Sequence, residues 1–281
     1  MSKISRLAPA KVNLYLHVAA PDVRGYHPLR SLVVFADYGD EVSLSPGQGR
    51  LTIDGPFAEG LSTGEDNLIL KAVRRFEAAA GVTVNRHDIH LTKNLPVASG
   101  IGGGSADAGA VLHLLREAYA PDMPDAALEA VAAQTGADGV MCLWSKSAIA
   151  EGYGEVLTPV EVPSLAAVLI NPGVECSTPA VFKAYDAVGR FEPIGADISG
   201  DVVAFLRTTR NDLESPAIAL HSVIGEVFRS LEAYDETRFA RMSGSGATCF
   251  ALCDTREDAE KLAAKLRQNW PRAWVRACML K

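Results

Sequence analysis

Between residues 11 and 18 the chain alternates: Val12, Leu14, Leu16 and Val18 fall on one face, Lys11, Asn13, Tyr15 and His17 on the other. A period of two in β-forming residues predicts a strand with one apolar and one polar face. Further strands are predicted over Ser31–Ala36, Glu41–Leu44, Arg50–Ile53 and Asp88–Thr92, and a helix over Asn67–Ala80 that stops at Gly81. The stretch Leu91–Pro96 then runs into Val97-Ala-Ser-Gly-Ile-Gly-Gly-Gly-Ser-Ala106, after which Ala108, Leu112, Leu115 and Tyr119 keep helical spacing as far as Pro121. This is a strand, a glycine-rich loop and a helix. A second helix is predicted over Asp125–Thr135, closed by a left-handed Gly136. The two prolines of Thr158–Ser164 mark a boundary between a domain over residues 1–158 and one over residues 159–281. Beyond it, strands are predicted over Ala166–Ile170, Ala247–Cys253 and Ala273–Met279, and helices over Thr178–Tyr185, Asp201–Arg207, Ala217–Ala233 and Arg256–Asn269. This mixed order predicts an α+β fold in two domains rather than a doubly wound parallel sheet.

Composition narrows the function. The 281 residues are 48% hydrophobic and 22% charged, ordinary for a globular chain. With 27 basic against 34 acidic residues, a net charge of −7 argues against a general nucleic-acid or anionic-membrane surface. A polyanionic ligand then needs a local device such as a helix N-terminus. No apolar run is long enough to span a membrane, and the start, Met1 to Arg6, has no apolar core of a secretory signal. The expected location is cytoplasmic. Five cysteines form no Cys-x-x-Cys pair and read as reduced, mostly buried thiols. His87-x-x-His90 reads as a surface pair, because zinc wants four converging ligands. No metal ligand is assigned.

The glycine-rich loop carries the chemistry. Gly100, Gly102, Gly103 and Gly104 remove side chains where a backbone must approach something closely, and the following helix offers unpaired N–H groups. Together they make a phosphate cradle. A plain flexible connector is the alternative; the apolar strand before it and the helix directly after it speak against that. No lysine follows the glycines as a P-loop requires, and Ser105 occupies the third glycine position of a dinucleotide fingerprint.

What remains, Pro-x-x-x-Gly-x-Gly-Gly-Gly-Ser-Ala opening a helix, resembles the second motif of the GHMP kinase superfamily. Ala8-Pro-Ala-Lys-Val-Asn-Leu-Tyr-Leu16 resembles its first motif and Met242-Ser-Gly-Ser-Gly-Ala247 its third. The resemblance implies a two-domain architecture with the active site in the cleft between domains, and an ATP-dependent small-molecule kinase. Further segments narrow it: Arg24-Gly-Tyr-His27, Ala36-Asp-Tyr-Gly-Asp40, Glu65-Asp-Asn-Leu68, Thr135-Gly-Ala-Asp138, Glu151-Gly-Tyr-Gly-Glu155, Asn171-Pro-Gly-Val174 and Asn211-Asp-Leu-Glu214. They resemble the branch whose acceptor is cytidine-diphospho-methylerythritol, phosphorylated on a tertiary hydroxyl in the non-mevalonate isoprenoid pathway. Kinases of homoserine or mevalonate are the nearest alternative. A binding module that has kept the fold without catalysis is another.

The resemblance implies roles residue by residue. Pro96 and the loop Ala98, Ser99, Gly100, Ile101, Gly102, Gly103, Gly104, Ser105 and Ala106 take the ATP phosphates; Lys93, Asn67 and Leu68 lie near the adenine. Ser105 equally reads as the N-cap of its helix. Magnesium is expected with ATP, held mainly by phosphates and water. Lys11 and Asp138 take the catalytic roles, although spacing alone reads them as a solvated strand lysine and a turn aspartate. Tyr26 and Phe182 match a pair that stacks on cytosine, His27 a residue that reads its edge, and Asn13, Thr178 and Pro179 further substrate contacts. Phe182 by itself reads as a core residue of a short helix. Gly244 and Gly246 belong to the third motif, or simply to a tight turn. One departure stands out. The family pattern is Gly-Ala-Asp-Val-Pro, and this chain has Gly136-Ala-Asp-Gly-Val140, which lacks the proline that fixes the backbone after Asp138. Either neighbouring packing fixes Asp138 or the site is looser.

Overall fold

The computed structural model describes residues 3–195 and 200–281. Its elements run β1 (Ile4–Val18), β2 (Leu29–Pro46), β3 (Leu51–Asp54), α1 (Leu68–Ala80), β4 (His87–Thr92), α2 (Gly103–Tyr119), α3 (Asp125–Ala133), α4 (Gly139–Trp144), β5 (Ala148–Glu151) and β6 (Val156–Pro159). Then come β7 (Leu165–Asn171), α5 (Thr178–Val188), α6 (Val202–Arg207), α7 (Glu214–Leu220), α8 (Ser222–Glu232), β8 (Phe239–Met242), β9 (Cys249–Cys253), α9 (Arg256–Asn269) and β10 (Trp274–Leu280).

Two compact units are interleaved in sequence. The first comprises Met1–Lys11, Tyr38–Val97 and Gly102–Lys146; the second comprises Val12–Asp37, Ala98–Ile101 and Ser147–Lys281. A single cut after residue 158 is a different partition, because early segments of the chain group with the C-terminal half. In the first unit β4 pairs antiparallel with β2, Leu44 opposite Ile89, and parallel with β3. Helix α1 starts at Asn67, whose side chain accepts from Ile69 N, and ends at Gly81 in the left-handed region. Its buried residues Ile69, Ala72, Val73 and Phe76 keep the i, i+3, i+4, i+7 spacing of a single apolar stripe. In the second unit the order β8-β9-β7-β10 is antiparallel throughout. Strand β7 is apolar along nearly its whole length and buried, as a central strand covered on both faces must be. Its core gathers Val168, Ile170, Val181, Ile224, Leu231 and Leu262.

Several expectations change. The polar face of β1 is buried like its apolar face: Lys11, Asn13, Tyr15 and His17 are all under 9% exposed. The strands predicted over 31–36 and 41–44 are one, β2; Gly39 lets it pass so close to β1 that a Cβ there would stand 2.0 Å from the Ala8 carbonyl oxygen. The helix predicted over 217–233 divides at His221, whose φ of −137° is extended. Helix α3 ends at Ala133, and Gly136, with φ 146°, is not a left-handed cap. His87 is not a surface residue. It is buried with Nδ1 3.0 Å from the Tyr119 hydroxyl, because β4 alternates inward and outward and turns His87 in. All five cysteines are free and buried.

Phe76 is fully buried and Lys71, on the same helix, is exposed. Phe76→Ala is expected to cost about 3–5 kcal/mol in urea unfolding, and Lys71→Ala less than about 0.5 kcal/mol. Equal effects would mean that α1 is not docked by its apolar stripe.

Candidate active site

In the first unit, Lys11 on β1 donates from Nζ to Asp138 Oδ2 at 2.9 Å. The lysine side chain is 10% exposed and the aspartate 33%. Burial pulls the Lys11 ammonium down, but the charge and hydrogen bond of Asp138 more than offset this, so the net shift is upward and the lysine stays a cation. Asp138 is the residue before α4, and its carbonyl accepts from Cys142 N at 2.9 Å. The glycine that follows is tightly packed: a Cβ on Gly139 would stand 2.0 Å from the Ala132 carbonyl oxygen and 2.8 Å from Thr135 Oγ1. Packing against the end of α3 therefore fixes the backbone after Asp138 without a proline. A partly exposed carboxylate held by a buried ammonium has the means to take or steer a hydroxyl proton.

The glycine loop is fitted against protein atoms. A Cβ on Gly102 would lie 3.1 Å from Lys11 Cβ, one on Gly103 3.1 Å from Lys93 Nζ, and one on Gly104 3.0 Å from Leu68 Cδ1. In the second unit, one on Gly100 would lie 2.5 Å from the Ser243 carbonyl oxygen. Gly100 and Gly102 also have φ of 75° and 66°, as does Ala98 at 50°. Helix α2 has Gly102 as its N-cap, with no side-chain cap and no acidic residue in its first turn, so its leading N–H groups remain for a ligand. Ser105 is the third residue of the helix and not its N-cap. Pro96, Ile101 and Ala106 are buried. Asn67 spends its side chain on capping α1 and on the Ser62 carbonyl. The Lys93 ammonium is held by Asp40, which the sequence analysis names only as the end of the segment Ala36–Asp40, and by Asp107, which it does not name.

In the second unit, the third glycine motif is tied down by side chains. Asn211 Nδ2 donates to the carbonyls of Met242 and Gly244, both at 2.8 Å. Ser243 Oγ accepts from Asn13 N and donates to the Gly100 carbonyl, each at 3.1 Å. Ser99 O accepts from Thr248 N. Gly244 and Gly246 have φ of 57° and 86°, which confirms a turn that needs glycine. Asn13 Nδ2 donates to Ser31 Oγ, while its buried Oδ1 has no partner and points where a Gly244 side chain would stand, 3.4 Å away. Thr178 Oγ1 meets Ser245 Oγ at 2.8 Å; Thr178 and Pro179 are exposed at the start of α5.

The same unit carries an aromatic group. The His27 ring lies 5.1 Å from Phe182, its Nδ1 2.8 Å from the Ala19 carbonyl oxygen and its Nε2 3.1 Å from Asp186 Oδ1. Tyr26 is 62% exposed and packs edge-on against Tyr153. Asp22 accepts from Tyr26 N, the Tyr153 hydroxyl and Arg24; the Tyr26 bond leads in holding its carboxyl well below the usual range. Asp22 and Tyr153, which hold this group together, are not among the residues the sequence analysis assigns a role. The segments Arg24–His27 and Glu151–Glu155 had pointed to their neighbourhood.

Residues 67–146 match the GHMP kinases N terminal domain and residues 194–272 the GHMP kinases C terminal family. A 4-diphosphocytidyl-2-C-methyl-D-erythritol kinase of Caulobacter vibrioides (strain NA1000 / CB15N) is 48% identical over 290 residues, covering 99% of this chain and 99% of its own. The chain belongs to the family of 4-diphosphocytidyl-2-C-methyl-D-erythritol kinases. Another of that family, from Dinoroseobacter shibae, is 45% identical over 99% of this chain and 95% of its own length. A crystal structure of a 4-(cytidine 5'-diphospho)-2C-methyl-D-erythritol kinase superposes with a TM-score of 0.83 at 34% identity, covering 99% of each chain. A homoserine kinase from Cytophaga hutchinsonii superposes with a TM-score of 0.72 at 20% identity, which shows the shared fold.

Among the described residues, no group of three or more His, Cys, Asp or Glu is arranged to hold a metal ion.

Asn211 is buried and satisfies two carbonyls of the glycine turn. Asn211→Ala leaves both unpaired and is expected to destabilise the enzyme by about 1–3 kcal/mol. Urea unfolding measures this; a cost near zero would mean the turn holds itself.

Proposed function

We propose that this chain transfers the γ-phosphate of ATP to the tertiary 2-hydroxyl of 4-diphosphocytidyl-2-C-methyl-D-erythritol. The observation that carries the reading is the ion pair of buried Lys11 with the partly exposed Asp138 in a chain of this family. Asp138 takes or steers the proton of the attacking hydroxyl, and Lys11 keeps it ionised while offsetting developing negative charge. The uncapped first turn of α2 and the loop before it receive the phosphates, with Ser105 beside them. Asn67 and Leu68 border the adenine. Tyr26, Phe182 and His27 receive the cytosine, and Asn13, Thr178 and Pro179 line the acceptor. Support for the cytosine end comes from His27 and Phe182, which lie side by side although they are far apart in sequence. Magnesium arrives with the nucleotide, shielding phosphate charge, and no residue of this chain is assigned to it. The reaction is placed in the cytoplasm; no described helix is long and apolar enough to cross a membrane.

Asp138→Asn should lower kcat at least ~100-fold while both substrates still bind, and Lys11→Met should do the same. A change in KM alone would make them binding residues. Stacking on one aromatic is worth ~1–3 kcal/mol. Phe182→Ala should therefore weaken the cytidylyl substrate roughly 5–150-fold, with ATP affinity held. Calorimetric titration of both ligands separates this from a packing defect, which would weaken both. A wild type that ignored the cytidylyl alcohol and phosphorylated homoserine or mevalonate would keep the kinase class and overturn the substrate.

A further inference from the structure

Behind the first turn of α2 lies a charge cluster that the roles above leave unused. Lys93 Nζ stands 2.5 Å from Asp40 Oδ2 on β2 and 2.6 Å from Asp107 Oδ2 in the second turn of α2. None of the three side chains is more than 5% exposed. The ammonium also stands 3.1 Å from where a Gly103 side chain would be, so the cluster fills the space directly behind the loop.

The two carboxyls differ. Asp40 accepts from Lys93 on one oxygen and from Asn94 N at 2.6 Å and Leu95 N at 2.8 Å on the other, so it is satisfied as an anion. The second oxygen of Asp107 is buried and has no partner. With both carboxyls ionised the cluster would hold one uncompensated negative charge out of water, which costs more than a neutral acid. From α4 the Cys142 thiol also faces Asp107 and Lys11–Asp138; burial pushes it up, so it is neutral. The buried faces of α1 and α3, which pack on α2, carry Ile69, Ala72, Val73 and Phe76, and Leu128, Val131 and Ala132, none of them titratable.

We propose that Asp107 holds a proton in the working enzyme, so that a neutral Asp40–Lys93–Asp107 cluster seats the N-terminus of α2 without setting negative charge behind the ATP phosphates. Lys93 and Asp107 are then positioning residues, and Lys93 reaches the nucleotide only through the loop it supports. Burial raises the Asp107 carboxyl, with Lys93 reversing only part of the effect, to about 8. Burial pulls the Lys93 ammonium down, and the two carboxyls more than restore it. Because the folded value lies above the unfolded one, the contribution of Asp107 to stability is complete in acid and is lost as pH rises towards 8. Above that pH the cluster turns negative and ATP affinity falls.

The proposal rests on the phosphates lying at the loop, and the test separates the two. Wild-type ATP affinity, titrated calorimetrically across about pH 6.5 to 9.5, should weaken about tenfold through pH 8, and Asp107→Asn should abolish that dependence. Lys93→Met should raise the ATP dissociation constant at least ~10-fold and leave the cytidylyl substrate unaffected, a split that a general loss of packing does not produce. Carbon-13 NMR of labelled aspartate carboxyls in the wild type needs no variant, and should show one titrating near 8. Carboxyls that all titrate in the ordinary acidic range, or a flat wild-type profile, overturn the proposal. Ser105→Leu at the first turn of α2 should itself weaken ATP. If it does and the pH profile is flat, only the proposal falls; if it does not, the loop assignment falls with it.

Discussion

A side chain at position 100, 102, 103 or 104 would meet closely packed protein atoms. At Gly100 the Ser243 carbonyl oxygen excludes a Cβ, and at Gly102, Gly103 and Gly104 one would press on the stem of Lys11, the ammonium of Lys93 and a methyl of Leu68. A glycine-rich loop is usually read as one that bares its backbone to a ligand. Here the same residues also let the loop be packed from behind. This removes the freedom that glycine would otherwise give it, and the leading N–H groups of α2 acquire a fixed direction. Pre-set donors cost no reorganisation when charge moves onto them.

A second constraint follows from the first. What packs behind the loop includes two ammonium groups, and each is held by carboxyl groups. An isolated charge out of water is expensive, and a hydrogen-bonded pair recovers enough of that cost to be tolerated. Lys11 has one partner, Asp138, which is still a third exposed. Lys93 has two, both buried. The exposed carboxylate has access to a substrate and the buried ones do not. That difference, more than residue type, separates a group able to do chemistry from groups that support the loop.

How much of this was legible varied with length and with locality. Helix α1 was read nearly to the residue because Asn67 and Gly81 stop it chemically at both ends, and α9 because Thr255 accepts from Asp258 N at its start. Strands β5, β6 and β8 have four residues each, too few to display a period. The polar face of β1 was visible as alternation, but its burial was not, since alternation alone reads as one wet face. The Asp40–Lys93–Asp107 cluster joins residues 53 and 14 apart in the chain. No local spacing encodes it. Only the folding together of β2, the end of β4 and α2 creates it.

Gly139 shows how a family pattern is read through its physics. A proline at position 140, two residues after Asp138, would restrict the backbone by its ring. In this chain the backbone at that point lies so close to Ala132 and Thr135 that no side chain fits at 139. Glycine is the residue with the most freedom, yet at this position its neighbours leave it little. The carbonyl of Asp138 is bonded into α4, and Gly139 N donates to the Gly136 carbonyl at 2.9 Å. The geometry that a proline would impose from within the chain is here imposed by packing from outside it. With Val140 in the place of the pattern's proline and Gly139 in the place of its valine, the packing of Gly139 holds this stretch of backbone.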